Sequence, residues 1–266
     1  MQSGKHPGKY FLITFALSWL FWGAIVLLDL EISQMPAPLL FAAAGAAPLV
    51  SALGLVYAAP DKSQRADFWR RLFDLKRLGL PTLAFCLLTA SALTMLAGAL
   101  DVALGGGGFS VEARFAAGPQ AFISSAIFLF FFGPLPEEIG WRGYALDGLQ
   151  RKLPPLKSSL LLGAAWALWH LPLFFVKGSF QQSLLAQPLL VALFPLNIFS
   201  QTFLMTWIFN RTRRSTLSAV LFHYAVNLSG EALAISARAE ILLAVFWAMF
   251  AICLVLFGRF NRLPEA

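Results

Sequence analysis

Two adjacent glutamates stand inside an apolar stretch of the sequence. Glu137 and Glu138 follow Pro134 and Pro136 and precede Arg142. Because proline lacks an N–H and its ring clashes with the preceding turn, the prolines predict a helix that breaks here and restarts after Pro136. Glu138 and Arg142 have the favourable i, i+4 order for an ion pair, whereas Glu137 is rotated about 100° away from that pair. We predict that Glu138 is structural and that Glu137 is free for chemistry.

Two other apolar stretches each carry a histidine with a companion residue four positions away. Trp166 and His170 share one helical face, and His223 and Asn227 share another. Taken alone, either pair is explained by hydrogen bonds between membrane helices. Their functional interpretation therefore depends on whether they meet the glutamates.

The depth of these groups in a membrane indicates that they do meet. Counting inward from the cytoplasmic ends of their stretches, at about 1.5 Å per residue, places four groups roughly 9 to 16 Å below the surface. A carboxylate, two imidazoles and a carboxamide at one level are suited to activating a water and holding an oxyanion. The sequence therefore predicts a hydrolytic centre in a polar cavity open to the cytoplasm, formed by Glu137, His170, His223 and Asn227.

Composition shows that these groups must be held by membrane helices. The 266 residues are 59% hydrophobic and 12% charged, with a mean hydropathy of +0.72, whereas soluble domains are about 45–50% apolar and about 25% charged. A helical span takes roughly 20 apolar residues. We predict an all-α polytopic membrane protein, a single domain over residues 1–266, with about eight spans at 11–28, 38–58, 81–100, 121–146 (broken), 159–176, 187–208, 217–235 and 241–257.

Basic residues give the orientation. With the amino terminus in the cytoplasm, 16 of the 20 Lys and Arg residues fall in cytoplasmic segments, three on the opposite side and Arg142 within a span. This asymmetry predicts that both termini are cytoplasmic. It also explains the pI near 9.8 without a nucleic-acid partner. The longest cytoplasmic segment, residues 61–78, mixes basic and aromatic residues and predicts an amphipathic helix beside anionic headgroups.

The three polar motifs, in this order and inside apolar stretches, resemble those of the CAAX-processing and bacteriocin-processing intramembrane endopeptidases, which include the type II CAAX prenyl endopeptidases. The resemblance covers residues 121–235. The motifs are Glu-Glu-x-x-x-Arg at 137–142, aromatic-x-x-x-His at 166–170 and His-x-x-x-Asn at 223–227. Trp166 stands where many members carry Phe, and we expect either residue to serve by supplying an aromatic face.

This resemblance implies hydrolysis of a peptide bond near the C-terminus of a membrane-associated protein or peptide, prenylated or not. It implies water activation by Glu137 and His170, binding of the water or the oxyanion by His223 and Asn227, and support by Glu138, Arg142 and Trp166. A ligand set of Glu137, His170 and His223 for Zn²⁺ or another divalent metal stays open. The His-Glu-x-x-His zinc signature is absent, however, and the residues suffice for a glutamate mechanism without metal.

Two other functions stay open from the sequence. One is a catalytically silent scaffold or bacteriocin-immunity protein, which the complete motif set argues against. The other is a proton-coupled transporter, whose broken helices line a midplane site. Against a transporter, the chain shows no two related halves, and its polar groups form one cluster. Short loops favour a bacterial protein, so we expect a multi-pass protein of the bacterial inner membrane.

Overall fold

Helices form most of the protein in the computed structural model, which describes residues 5–257 and 260–261 without the side chains of residues 113 and 114. Both chain ends, which are predicted to be cytoplasmic, lie outside the described residues. The helices are α1 Pro7–Leu27, α2 Ala37–Gly45, α3 Ala47–Ala58, α4 Lys62–Phe73, α5 Leu80–Ala103, α6 Ala113–Ala116, α7 Pro119–Phe132, α8 Pro134–Gly140, α9 Asp147–Leu149, α10 Pro155–Trp169, α11 Phe180–Leu184, α12 Pro188–Arg211, α13 Thr216–Ala232 and α14 Ala237–Phe257.

Six stretches of the described chain are helical, long and apolar enough to cross a membrane. A seventh is added if α2 and α3, which meet at an angle of 45°, count as one bent span. The protein is therefore a polytopic membrane protein. Helix α13 occupies the seventh predicted stretch but has only 17 residues, so the count of eight spans stays a prediction. The six stretches are Pro7–Leu27, Leu80–Ala103, Pro119–Leu149, Pro155–Phe175, Pro188–Arg211 and Ala237–Phe257.

The fourth predicted span is interrupted at Gly133. Its backbone, at φ −129° and ψ −96°, leaves the helical region, and α8 begins directly at Pro134. The predicted restart after Pro136 is therefore wrong by two residues, because both prolines fit the first turn, where their missing N–H groups would have no helical partner. After α8 the chain continues through a π-helical turn, Trp141–Leu146. Such turns are frequent at functional sites.

The last three residues of the predicted seventh span are not helical. Residues 233–235 form strand β2 (Leu233–Ile235), which pairs antiparallel with β1 (Phe109–Val111) and sets Ser110 opposite Ala234. The helical prediction is wrong here because pairing with a distant segment outweighs the local apolar pattern. Elsewhere in the described residues the chain forms helices and their connections, with one isolated parallel bridge between Glu31 and Lys177.

Close packing fixes the position of α8 against α1 and α3. A Cβ atom placed on Gly140 would lie 2.3 Å from the hydroxyl oxygen of Tyr10 and 2.6 Å from the carbonyl oxygen of Pro48. Only glycine permits this approach. The helix that carries both glutamates is thereby pressed against two neighbouring helices.

Ion pairs hold the other end of the same segment. Asp147 lies 2.6 Å from Lys5 and 2.6 Å from Arg214. The carbonyl of Gly143, in the π-helical turn, accepts hydrogen bonds from Lys5 and from Arg71 of α4. Lys5 before α1, Arg71 of α4 and Arg214 in the turn before α13 therefore all bind the segment that follows α8.

Candidate active site

Glu137 is positioned by a contact from another helix. It lies in the first turn of α8 and is half-buried. Its Oε2 accepts a hydrogen bond of 2.9 Å from the indole Nε1–H of Trp166, a buried residue of α10. This bond joins the two helices and fixes one carboxylate oxygen of Glu137.

Glu138 is fully buried and carries two partners on one oxygen. Its Oε1 accepts a hydrogen bond of 2.7 Å from Nη1 of Arg142, so the expected ion pair is present. The same oxygen lies 2.8 Å from Nδ1 of His223. Nη2 of Arg142 also donates to the hydroxyl of Thr202 in α12 across 3.4 Å. The adjacent glutamates therefore have different surroundings, as the helical spacing predicts.

The hydrogen bonds of the two histidines determine which ring nitrogen carries the proton. His170, directly after α10, places Nδ1 2.7 Å from the carbonyl oxygen of Trp166. A carbonyl only accepts, and the Glu138 carboxylate paired with Arg142 also only accepts, so Nδ1 is the donor in both His170 and His223. In the neutral rings, Nε2 is left as the nitrogen with the lone pair.

Trp166 is the common neighbour of these groups. Its ring centroid lies 5.7 Å from that of His170 and 5.1 Å from that of His223. The guanidinium of Arg142 lies 4.8 Å from the Trp166 ring, within the range of a cation–π contact. One indole therefore contacts groups on α10, α13 and the segment after α8.

Asn227 lies beside the break between α7 and α8. A Cβ atom on Gly133 would stand 3.6 Å from Nδ2 of Asn227. Asn227 is half-buried and follows His223 by one turn of α13. The structure thus brings the seven predicted site residues to one region, where α8, α10 and α13 meet.

Two further residues contact the site and are not predicted from the sequence. The hydroxyl of Thr202 accepts a hydrogen bond from Nη2 of Arg142. The ring of Phe194 packs edge-on against His170, with ring centroids 5.4 Å apart. Both belong to α12. Neither residue type is unusual in a membrane helix, so the sequence carries no signal for either.

The open question of a metal can be tested against the arrangement of side chains. Within the described chain, no three His, Cys, Asp or Glu residues are placed to share a metal ion. The alternative set of Glu137, His170 and His223 is therefore not gathered around one point, although the Nδ1 hydrogen bonds leave Nε2 of each histidine with its lone pair. These residues do not fit a three-ligand metal site.

An apolar groove runs along α7 and reaches α13 at Tyr224. It has a volume of about 320 Å³ and is lined by α7 residues and by Tyr224, the residue after His223. Phe130 contacts Tyr224 edge-to-face at 5.3 Å. One wall of the groove is therefore formed by α13, the helix that carries His223 and Asn227. The polar cavity predicted to open to the cytoplasm stays a prediction.

The fold and these contacts define a polytopic membrane protein with a cluster of acidic, imidazole and amide groups between its helices. Residues 119–229, which include all seven site residues, match the family described as Type II CAAX prenyl endopeptidase Rce1-like. The chain is 31% identical over 264 residues to CAAX prenyl protease 2 of Methanococcus maripaludis, covering 96% of this chain and 94% of that relative. The chain belongs to this family of membrane proteases, which confirms the resemblance seen in the motifs.

Proposed function

We propose that the protein hydrolyses a peptide bond near the C-terminus of a membrane-bound protein, with a water activated by Glu137 and His170. The observation that supports the proposal is the Trp166–Glu137 hydrogen bond, because it holds the carboxylate at the indole whose ring also contacts His170 and His223. Glu137 takes a proton from the water as its oxygen attacks the carbonyl carbon, and returns the proton to the departing amine. The lone pair on Nε2 of His170 accepts a hydrogen bond from the water's other O–H, which stays bonded to the attacking oxygen and orients it.

Asn227 and His223 are assigned to the oxyanion that forms in this attack. The amide of Asn227 donates a hydrogen bond in every protonation state of the site. His223 can donate from Nε2 only as an imidazolium, since Nδ1 is held by Glu138. The carboxylate of Glu138 compensates the positive charge of that imidazolium. A neutral His223 would instead bind the water through Nε2.

We propose that the substrate carries an apolar chain near the scissile bond. The relative is named a CAAX prenyl protease, and a prenyl group is an apolar chain that fits an apolar groove. The groove beside Tyr224 suits such a chain because it adjoins the helix of His223. The relative comes from an archaeon, and the bacterial inner membrane stays our expectation for this chain.

The proposal is tested with purified protein in nanodiscs and two peptides of one sequence, one farnesylated on its CAAX cysteine and one not. Mass spectrometry should detect the released C-terminal tripeptide from the farnesylated peptide, and much less from the other. Absence of cleavage of either peptide, and of other membrane-anchored peptides, would favour the silent scaffold. Proton-coupled uptake into liposomes that depends on Arg142 would favour the transporter.

A further inference from the structure

Helix α4 presents two different faces. Phe68, Arg71 and Leu72 are buried against the protein, and Arg71 donates a hydrogen bond of 2.9 Å to the carbonyl of Gly143. The opposite face carries the exposed side chain of Arg70. The contacts of the inner face attach α4 to the π-helical turn that follows α8. They give no reason for the exposed residues on the outer face.

Exposed aromatic and aliphatic side chains border that outer face. Phe73 is 69% exposed and Leu75 is 67% exposed. Trp69 stacks on Phe73 with ring centroids 5.8 Å apart and donates from Nε1 to the hydroxyl of Tyr57 at the end of α3. Tryptophan and tyrosine concentrate where membrane helices meet the headgroups. Because α4 connects two apolar helices, this aromatic group lies at the membrane–water boundary.

The acidic residues of the same segment are already engaged within the protein. Asp67 pairs with Arg71 and Arg214. Hydrogen bonds from Ser63 lower the pKa of the Asp61 carboxyl, and a hydrogen bond from Arg77 lowers that of Asp74, which keeps both charged and bound locally. The exposed cations of the segment, Lys62, Arg70 and Lys76, are therefore left without compensating carboxylates among the described residues.

We propose that the outer surface of α4 and of the turn that follows it, made of Lys62, Arg70, Phe73, Leu75 and Lys76, is a binding site for anionic phospholipid headgroups of the cytoplasmic leaflet. The cations match phosphate charge, and the exposed Phe73 and Leu75 match the adjoining acyl chains. The acidic groups of a soluble partner would match the cations but not Phe73 and Leu75, whereas a bilayer supplies phosphates and acyl chains side by side. The inference does not depend on the proposed catalytic activity.

The experiment compares thermal unfolding of the full-length protein in nanodiscs of phosphatidylcholine with and without phosphatidylglycerol. The test variant is Arg70→Gln/Lys76→Gln. The matched control is Lys152→Gln/Lys157→Gln, which removes two exposed charges, one between α9 and α10 and one in the first turn of α10, on the same predicted side. Phosphatidylglycerol should raise the melting temperature of the wild type and the control, and at least half of this shift should vanish in the test variant. Hydrogen exchange of residues 62–77 should slow in the anionic discs.

The electrostatic part of the phosphatidylglycerol-induced rise in melting temperature should disappear at 1 M salt, where the Debye length is about 3 Å. Equal losses in the two double variants would overturn the proposal, because they would show diffuse attraction to the whole cytoplasmic surface. No response of the wild type to phosphatidylglycerol would also overturn it. Equal stabilisation by inorganic phosphate in neutral discs would show that the bilayer is not the partner.

Discussion

Trp166 donates its indole N–H to Oε2 of Glu137 across 2.9 Å, which links α10 to the first turn of α8. The sequence expectation that phenylalanine would serve equally at this position considered only the aromatic face. Phenylalanine keeps that face for His170 and His223 but has no N–H for the carboxylate. We therefore propose that Trp166 is a positioning residue for Glu137.

Replacing Trp166 by Phe should lower kcat by about 10- to 150-fold and leave KM nearly unchanged. A hydrogen bond to a charged group contributes about 1.5–3 kcal/mol, and about 1.4 kcal/mol corresponds to a factor of ten in rate. The measurement is steady-state cleavage of the farnesylated peptide by purified protein.

Trp169→Phe is the matched control for this prediction. Trp169 lies on the same helix, is also buried, and donates its indole N–H to the Ser18 hydroxyl across 2.7 Å. Its ring also packs edge-on against His170 at 4.9 Å, and phenylalanine keeps an aromatic ring for that contact. Both variants should lose similar thermal stability, but only the Trp166 variant should lose turnover. Equal kcat values for the two variants would show that the bond to Glu137 has no role in catalysis.

Breaking the buried Glu138–Arg142 pair should destabilise the protein. Both side chains have no exposed surface, and Arg142→Met leaves a buried carboxylate without its cation, at a cost of about 3–5 kcal/mol. The double variant Glu138→Leu/Arg142→Met should recover most of the stability, since it removes both charges. Thermal unfolding of the three proteins in one detergent measures the difference.

Cleavage should not recover together with stability in that double variant. His223 loses the acceptor of its Nδ1–H and the counterion of its imidazolium form, so we expect turnover to stay at least about 10²-fold below that of the wild type. A double variant that is both stable and fully active would refute a supporting role for Glu138.

Gly140→Ala should destabilise the protein by about 1–3 kcal/mol, as overpacking of a core does. Its new Cβ would collide with Tyr10 and with the backbone of Pro48. Gly54→Ala in α3 is the control, since no heavy atom lies within 4 Å of its added Cβ; it should be neutral or stabilising by about 0.4–1 kcal/mol. Similar unfolding temperatures for both variants would contradict the close packing of α8 on α1 and α3.

Treatment with a chelator should leave activity within about twofold of the untreated enzyme, because Glu137, His170 and His223 are not gathered as ligands of one ion. The measurement is cleavage after incubation with 1,10-phenanthroline and with EDTA. Loss of activity that added Zn²⁺ restores would contradict this expectation and support the metal alternative.

The sequence predicts well what depends on local spacing. The i, i+4 order of Glu138 and Arg142 predicts their ion pair, and the prolines predict the interruption near Gly133. The mixed segment 61–78 predicts helix α4. Each of these features is decided by residues within about one or two helical turns, where helix geometry limits the alternatives.

Contacts between distant segments cannot be predicted from local spacing. Nothing in the spacing indicates that Glu138 rather than Glu137 faces His223, or that Thr202 reaches Arg142. The strand at residues 233–235 depends on a partner more than 100 residues away. These features follow from how the helices pack, and packing depends on the shapes of many side chains at once.

The most direct test of the proposed mechanism is the turnover of Glu137→Gln, measured on the farnesylated peptide beside the wild type. Glutamine keeps an oxygen for the Trp166 N–H, so the melting temperature should not change. It cannot take a proton from water, so kcat should fall by about 10²- to 10⁴-fold. A Glu137→Gln protein that cleaves the peptide as fast as the wild type would contradict the assignment of Glu137 as the base.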